Sequence, residues 1–209
     1  DAKLTLGLPP AATAATGIDA MVHAIEAYTS KHLKNPLSDL LAEKALKLLS
    51  ANLLQACRNG SDLAAREAML LGAMLAGQAF ANAPVAAVHA LAYPIGGIFH
   101  VPHGLSNSLV LPHVLRFNAP DAAPLYAELA DMIVEGCTGS DEAKTQALIG
   151  HLEAMIEATG IERRLRDVGV QESDLRHMAQ EAMKQTRLLG NNPREVLEDD
   201  AYAIYAAAY

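Results

Sequence analysis

The sequence predicts an all-α protein built as a multi-helix bundle, and three observations carry that prediction. Alanine and leucine dominate a chain that is 51% hydrophobic, and both residues are strong helix formers. Aromatic residues make up only 4% of the chain and tryptophan is absent, whereas strands favour aromatic and β-branched residues. Apolar residues recur at helical spacing, and no strand-like alternation exceeds a few residues. We therefore expect about eight to ten helices and no sheet of more than two short strands.

The first half of the chain gives clear helix boundaries. Residues 1–10 read as an extended lead-in, and a helix follows over residues 11–29. Asn35-Pro36 then breaks the chain, and Ser38-Asp39 can cap a second helix that runs to about Arg58. The run Asn59-Gly60-Ser61-Asp62 predicts a stop followed by the cap of a third long helix.

Residues 88–104 differ from the helical segments because prolines and glycines punctuate them. Such residues favour sharp turns and close approaches of the backbone, so we predict a turning segment here. Further helices are predicted over residues 105–116, 124–136, 142–158, 173–186 and 196–208. A second helical sub-bundle could begin near residues 116–120, which would divide residues 1–209 into sub-bundles at 1–116 and 117–209.

Composition and missing motifs exclude several classes of function. The net charge is −8 and no basic stripe appears, which argues against nucleic-acid binding. No apolar run approaches the roughly 18 residues of a membrane span. The chain contains neither a Gly-x-Gly-x-x-Gly motif nor a phosphate loop, so we predict no dinucleotide-binding domain within it. Cys57 and Cys137 show no paired spacing; they fit free thiols in the reducing cytoplasm, with a single disulfide as the alternative.

Two separate segments carry side chains suited to a metal ion. Asp19 and His23 are four positions apart on a predicted helix, so both can reach one ion; a salt-linked or capping pair is the simpler alternative. His89 and His103 lie in the Pro/Gly-rich segment, where each alone fits a core or turn histidine. Taken together, three imidazoles and one carboxylate match what Zn²⁺, Fe²⁺ or a similar divalent ion accepts.

Several motifs, in order, carry a resemblance to a known family. They are Gly17-Ile-Asp-Ala-Met-Val-His-Ala-Ile-Glu-Ala-Tyr28, Val88-His-Ala-Leu-Ala-Tyr-Pro-Ile-Gly-Gly97, Val101-Pro-His-Gly-Leu-Ser-Asn107, Leu111-Pro-His-Val114 and Asn192-Pro-Arg194. Over nearly its whole length the chain resembles the C-terminal helical, metal-binding domain of the iron-containing alcohol dehydrogenases, a domain related to that of the dehydroquinate synthases. The resemblance implies that Asp19, His23, His89 and His103 are the metal ligands. It also implies an N-terminal nucleotide-binding domain absent from this chain, which would explain its start at Asp1.

The resemblance implies NAD(P)-dependent interconversion of alcohols with aldehydes or ketones, with the ion acting as a Lewis acid on the substrate oxygen. Iron is implied by the family alone, because the same ligands would hold Zn²⁺ at least as tightly as Fe²⁺. NAD or NADP would be held mainly by the absent domain, so the fragment alone is expected to be inactive. Small alcohols or aldehydes are the expected partners, and a homo-oligomer is expected for the full-length protein.

The resemblance also draws attention to two aromatic residues near the ligands. Tyr93 is similar to a position close to nicotinamide and substrate in family members, where it could donate a proton or form part of the pocket wall. Phe80 resembles a position that lines the substrate channel, with core packing as an equal interpretation. The rival functions are a glycerol dehydrogenase or maleylacetate reductase-like enzyme of the same superfamily, and a non-catalytic helical metal-binding module.

Overall fold

The protein consists of nine α-helices and three short 3₁₀ helices with no β-strand, as a computed structural model of residues 1–209 describes it. The α-helices are α1 (Pro10–Tyr28), α2 (Pro36–Arg58), α3 (Leu63–Asn82), α4 (Ala87–Phe99), α5 (His103–Ile133), α6 (Asp141–Thr159), α7 (Leu175–Met183), α8 (Thr186–Leu189) and α9 (Glu198–Ala208). The all-α prediction is confirmed. The lead-in is not extended throughout, because residues Ala2–Thr5 form a 3₁₀ helix that Asp1 caps.

The caps of α2 and α3 explain where these helices begin. Helix α2 starts three residues earlier than a cap at Ser38 would place it, at Pro36, whose missing N–H suits the first helical position. Asn35, rather than Ser38 or Asp39, is the cap, and its side-chain oxygen accepts the Ser38 N–H at 3.0 Å. Asp62 caps α3 as predicted, by accepting the Ala65 N–H at 3.1 Å.

The predicted turning segment is mostly helical. Helix α4 continues through Pro94, Gly96 and Gly97, and the turn is confined to the three residues between Phe99 and His103. Local breaking tendencies are overridden because one face of α4, including the fully buried Leu91 and Ile95, packs in the core. His100 provides the turn by adopting a left-handed conformation with φ of 57°.

Helix α5 is a single helix of 31 residues, where the sequence predicted two shorter ones separated near residues 117–123. It contains Pro112, Pro120 and Pro124, each of which lacks one backbone hydrogen-bond donor. Buried residues on both sides of the prolines, among them Leu115 and Tyr126, hold the helix against the core. The two sub-bundles stay a prediction, and one hydrophobic cluster includes residues from both segments.

Helix α1 lies at the centre of the bundle and packs against α2, α3 and α5. The start of α5 approaches α1 very closely at Gly104, where a β-carbon would lie only 2.3 Å from the Ala15 carbonyl oxygen. Only glycine permits this backbone contact. The close approach sets His103, the first residue of α5, beside the middle of α1.

No single helix is long and apolar enough to cross a membrane. Helices α3 and α4 together reach that length and composition, but the chain bends by 108° between them.

Candidate metal centre

Four side chains from three helices converge at one point in the bundle. Asp19 and His23 come from adjacent turns of α1, His89 from the first turn of α4, and His103 from the first position of α5. One potential ligand atom from each residue lies within 4.8 Å of all the others. The fold thus brings together all four of the residues that the sequence predicted as metal ligands.

The separations fit a small divalent ion. The Asp19 Oδ1 atom lies 3.6 Å from the Nε2 atoms of His89 and His103, and 4.0 Å from His23 Nε2. Ligand atoms around a tetrahedral ion with bonds near 2.1 Å are separated by about 3.4 Å. Small side-chain movements would therefore bring the four donors to coordinating distance.

The burial of the four side chains is graded across the cluster. His89 is buried, and its Nε2 atom has no hydrogen-bond partner. The side chains of Asp19 and His23 are only 18% and 20% exposed, whereas that of His103 is 48% exposed. A buried imidazole nitrogen without a partner is unfavourable unless something else engages it, and a metal ion would do so. The cluster is closed on the His89 side and open on the His103 side.

Burial and the neighbouring charges act in opposite directions on the pKa values of the cluster residues. Burial lowers the pKa of His23 to about 4, although the neighbouring Asp19 carboxylate acts in the opposite direction. The His23 imidazole is therefore neutral near pH 7. Burial acts in the same direction on His89, but Glu26 and Asp19 together raise the pKa of this imidazole to about 9. Burial raises the pKa of Asp19, yet the attraction of His89, His23 and His103 outweighs it and lowers that pKa overall.

Two residues that the sequence prediction did not assign also belong to the site. Glu26 is buried on α1, and its Oε2 atom lies 2.7 Å from His89 Nδ1. Asn107 is buried on α5, and its Nδ2 atom donates to Asp19 Oδ1 at 2.6 Å. Each lies one helical turn from a predicted ligand, Glu26 three residues after His23 and Asn107 four residues after His103. That helical spacing is the sequence feature from which both residues could have been assigned to the site.

The two aromatic residues predicted near the site lie at its edge. The Phe80 ring, from α3, stacks on His23 with 4.5 Å between ring centroids. The Tyr93 ring, one turn after His89 on α4, is 6.0 Å from the His103 ring and is partly exposed. His100 and His113, which were not predicted as ligands, lie outside the four-residue cluster.

Fold and site together define an all-α domain with a candidate centre for a divalent metal, formed by three histidines and one aspartate. The family model for the C-terminal region of the Fe-containing alcohol dehydrogenases matches residues 13–209. The chain therefore belongs to the iron-containing alcohol dehydrogenase family.

Known relatives support this assignment. The chain is 42% identical to long-chain-alcohol dehydrogenase 1 of Geobacillus thermodenitrificans and 41% identical to 1,3-propanediol dehydrogenase of Klebsiella pneumoniae, with 100% of this chain aligned in both cases. A crystal structure of 1,3-propanediol oxidoreductase superimposes with a TM-score of 0.96 at 40% identity, covering 100% of this chain and 55% of that one. The chain spans 53% and 54% of the two curated relatives, about half of their length.

Proposed function

We propose that this chain is the metal-binding half of an NAD(P)-dependent alcohol dehydrogenase that interconverts alcohols with aldehydes or ketones. The observation that carries the proposal is the convergence of Asp19, His23, His89 and His103, including the unpartnered, buried Nε2 of His89. Family membership and the names of the relatives, which include long-chain-alcohol and 1,3-propanediol dehydrogenases, support the same reaction class. Free Cys57 and Cys137 fit action in the reducing cytoplasm.

The proposed roles divide between the ion and the protein. A divalent ion held by the four ligands would polarise the oxygen of the substrate and favour its deprotonation. The His103 side of the cluster is the most exposed, with that side chain 48% exposed, and we propose that a small alcohol or aldehyde approaches the ion from there. Phe80 stacks on His23 and would limit how that ring can turn. We propose Fe²⁺ as the ion on the strength of the family, with Zn²⁺ as the alternative that the same ligands accept.

The proposed reaction needs a nicotinamide cofactor, because no side chain carries hydride. We propose that residues outside this chain supply most of the dinucleotide site and the contacts of a homo-oligomer. The 209-residue chain alone should then bind the metal but oxidise no alcohol. The full-length protein should reduce NAD or NADP when given primary alcohols or diols.

Metal removal provides the test of this function. A chelator should abolish turnover by the full-length protein, and Fe²⁺ or Zn²⁺ should restore it, measured as NAD(P)H absorbance. Mg²⁺, which prefers oxygen ligands, is the matched control and should not restore it. Turnover by the isolated chain at the full-length rate, or turnover that survives complete metal removal, would contradict the proposal.

Tyr93→Phe tests the role of the hydroxyl at the edge of the site. We propose that Tyr93 donates a proton to the substrate oxygen, because its ring lies beside the exposed His103. Loss of a proton donor typically lowers turnover by about 100-fold or more, so we expect a fall of that size in kcat with metal content unchanged. A loss below about tenfold would instead assign Tyr93 to the pocket wall.

A further inference from the structure

Glu26 is a buried carboxylate whose two oxygens are both occupied by the start of helix α4. It is only 3% exposed, and a buried carboxylate is strongly unfavourable unless hydrogen bonds satisfy it. Its Oε1 atom accepts the Val88 N–H at 2.7 Å, and its Oε2 atom lies 2.7 Å from His89 Nδ1. Both contacts go to adjacent residues, and one of them is a proposed metal ligand.

The contact with Val88 fixes the position of the α4 backbone. The Val88 N–H lies in the first turn of α4, where backbone donors have no partner within the helix. The residue at the cap position is Ala86, whose side chain cannot accept a hydrogen bond. Glu26 therefore caps α4 from a different helix, and its negative charge also suits the positive end of the helix dipole.

A histidine binds a metal ion as a neutral imidazole, and the contact with Glu26 fixes which ring nitrogen of His89 then keeps its proton. A carboxylate only accepts hydrogen bonds, so the Nδ1 atom facing Glu26 must be the protonated one in a neutral imidazole. The lone pair is then on Nε2, the buried atom that has no hydrogen-bond partner and lies 3.6 Å from Asp19 Oδ1. Only this tautomer offers a lone pair to an ion held among the four ligands.

We propose that Glu26 is a positioning residue of the metal centre, which caps helix α4 and holds His89 in the tautomer that binds the ion through Nε2. The inference rests on the proposed metal centre, and it adds a residue that does not touch the ion. Carboxylates that orient a ligating histidine raise its basicity and typically contribute 10–100-fold in metal affinity.

Glu26→Gln separates this role from simple occupancy of space. The glutamine has nearly the same shape, but it offers one acceptor and one donor. Because the Val88 N–H can only donate, the amide oxygen must remain there and the NH₂ group must face His89 Nδ1. His89 then accepts at Nδ1 and carries its proton on Nε2, where it blocks coordination. Glu26→Asp keeps two acceptor oxygens and should retain the tautomer.

The experiment measures Zn²⁺ affinity by competition with a chelator on the full chain. We expect Glu26→Gln to weaken Zn²⁺ binding 10–100-fold and Glu26→Asp to weaken it less. Glu128→Gln is the matched control: it also removes one negative charge opposite α1, where Glu128 accepts from the Tyr28 hydroxyl at 2.6 Å. Its affinity should stay within about twofold of the unmodified protein.

A nitrogen-15 spectrum of the histidine rings shows directly which ring nitrogen of His89 carries the proton. This signal would not change if Glu26 served only to stabilise the fold. In the Zn²⁺-loaded protein we expect a protected Nδ1–H signal from His89, assigned by its absence in His89→Gln. Glu26→Asp should keep the signal and Glu26→Gln should lose it. A second test combines Glu26→Gln with His89→Ala, which should weaken Zn²⁺ binding no more than His89→Ala alone.

Three results would overturn the inference. The first is Zn²⁺ affinity of Glu26→Gln equal to that of the unmodified protein. The second is a Nδ1–H signal of His89 that survives in Glu26→Gln, and the third is a full additional loss of affinity in the double variant. Failure of the unmodified protein to bind Zn²⁺ or Fe²⁺ would be a different outcome, since it would refute the metal centre itself and the role of Glu26 with it.

Discussion

Substitution of His89 by alanine is expected to empty the metal centre. His89 is the most deeply buried of the four proposed ligands, and its Nε2 atom has no protein partner. Its loss removes one donor and leaves the Glu26 carboxylate buried without its imidazole partner. We expect metal affinity to fall by more than about 100-fold, beyond what outer-sphere changes typically cause. Metal analysis of the purified protein, with alcohol oxidation in the full-length form, measures the effect.

The controls separate ligand loss from damage to the fold. His113→Ala removes a half-buried histidine of α5 that lies outside the four-residue cluster, and it should leave the metal content unchanged. His103→Ala should also lower the metal content, although its side chain is much more exposed. Undiminished metal content in both His89→Ala and His103→Ala would refute the ligand assignment.

The second large effect is expected at Gly104. A β-carbon at this position would lie 2.3 Å from the oxygen and 2.7 Å from the carbon of the Ala15 carbonyl. Both atoms belong to the backbone of buried helix α1, so no side chain can rotate away and relieve the clash. Gly104→Ala should therefore force α5 away from α1 and lower the free energy of unfolding by about 3 kcal/mol, the upper end of the usual cost of overpacking.

The midpoint of urea unfolding measures this loss. Gly150→Ala is the matched control, because Gly150 lies within α6 and a β-carbon there meets no atom within 4 Å. This substitution should raise stability by up to about 1 kcal/mol, since alanine favours the helix. Equal stability of the two variants would contradict the account of the contact between α1 and α5. Weakened metal binding by Gly104→Ala is also expected, because His103 precedes the displaced glycine.

The sequence predicted the helices best where capping residues mark their ends. Asp62 caps α3 at its predicted position, and α2 ends at Arg58 as predicted. The largest errors concern Pro94, Pro120 and Pro124, which local rules treat as breaks. The effect of a proline on the backbone is local. The burial that keeps α4 and α5 helical across their prolines depends instead on residues distant in the chain.

The candidate site shows the same division between local and distant information. Asp19 and His23 could be paired from their helical spacing alone. No spacing rule brings His89 and His103 to α1, so their assignment depended on the family resemblance. Glu26 and Asn107 lie one turn from ligands and could have been suspected from the sequence, but their hydrogen bonds required the arrangement of α1, α4 and α5.

The graded burial of the ligands has a kinetic consequence. The most exposed approach to this centre runs past the imidazole of His103, which is 48% exposed, whereas His89 on the opposite side is buried. Rotation of the His103 side chain into solvent would open that path without disturbing the core. The residence time of the ion should therefore depend mainly on how often this one side chain swings outward, and only weakly on the global unfolding of the protein.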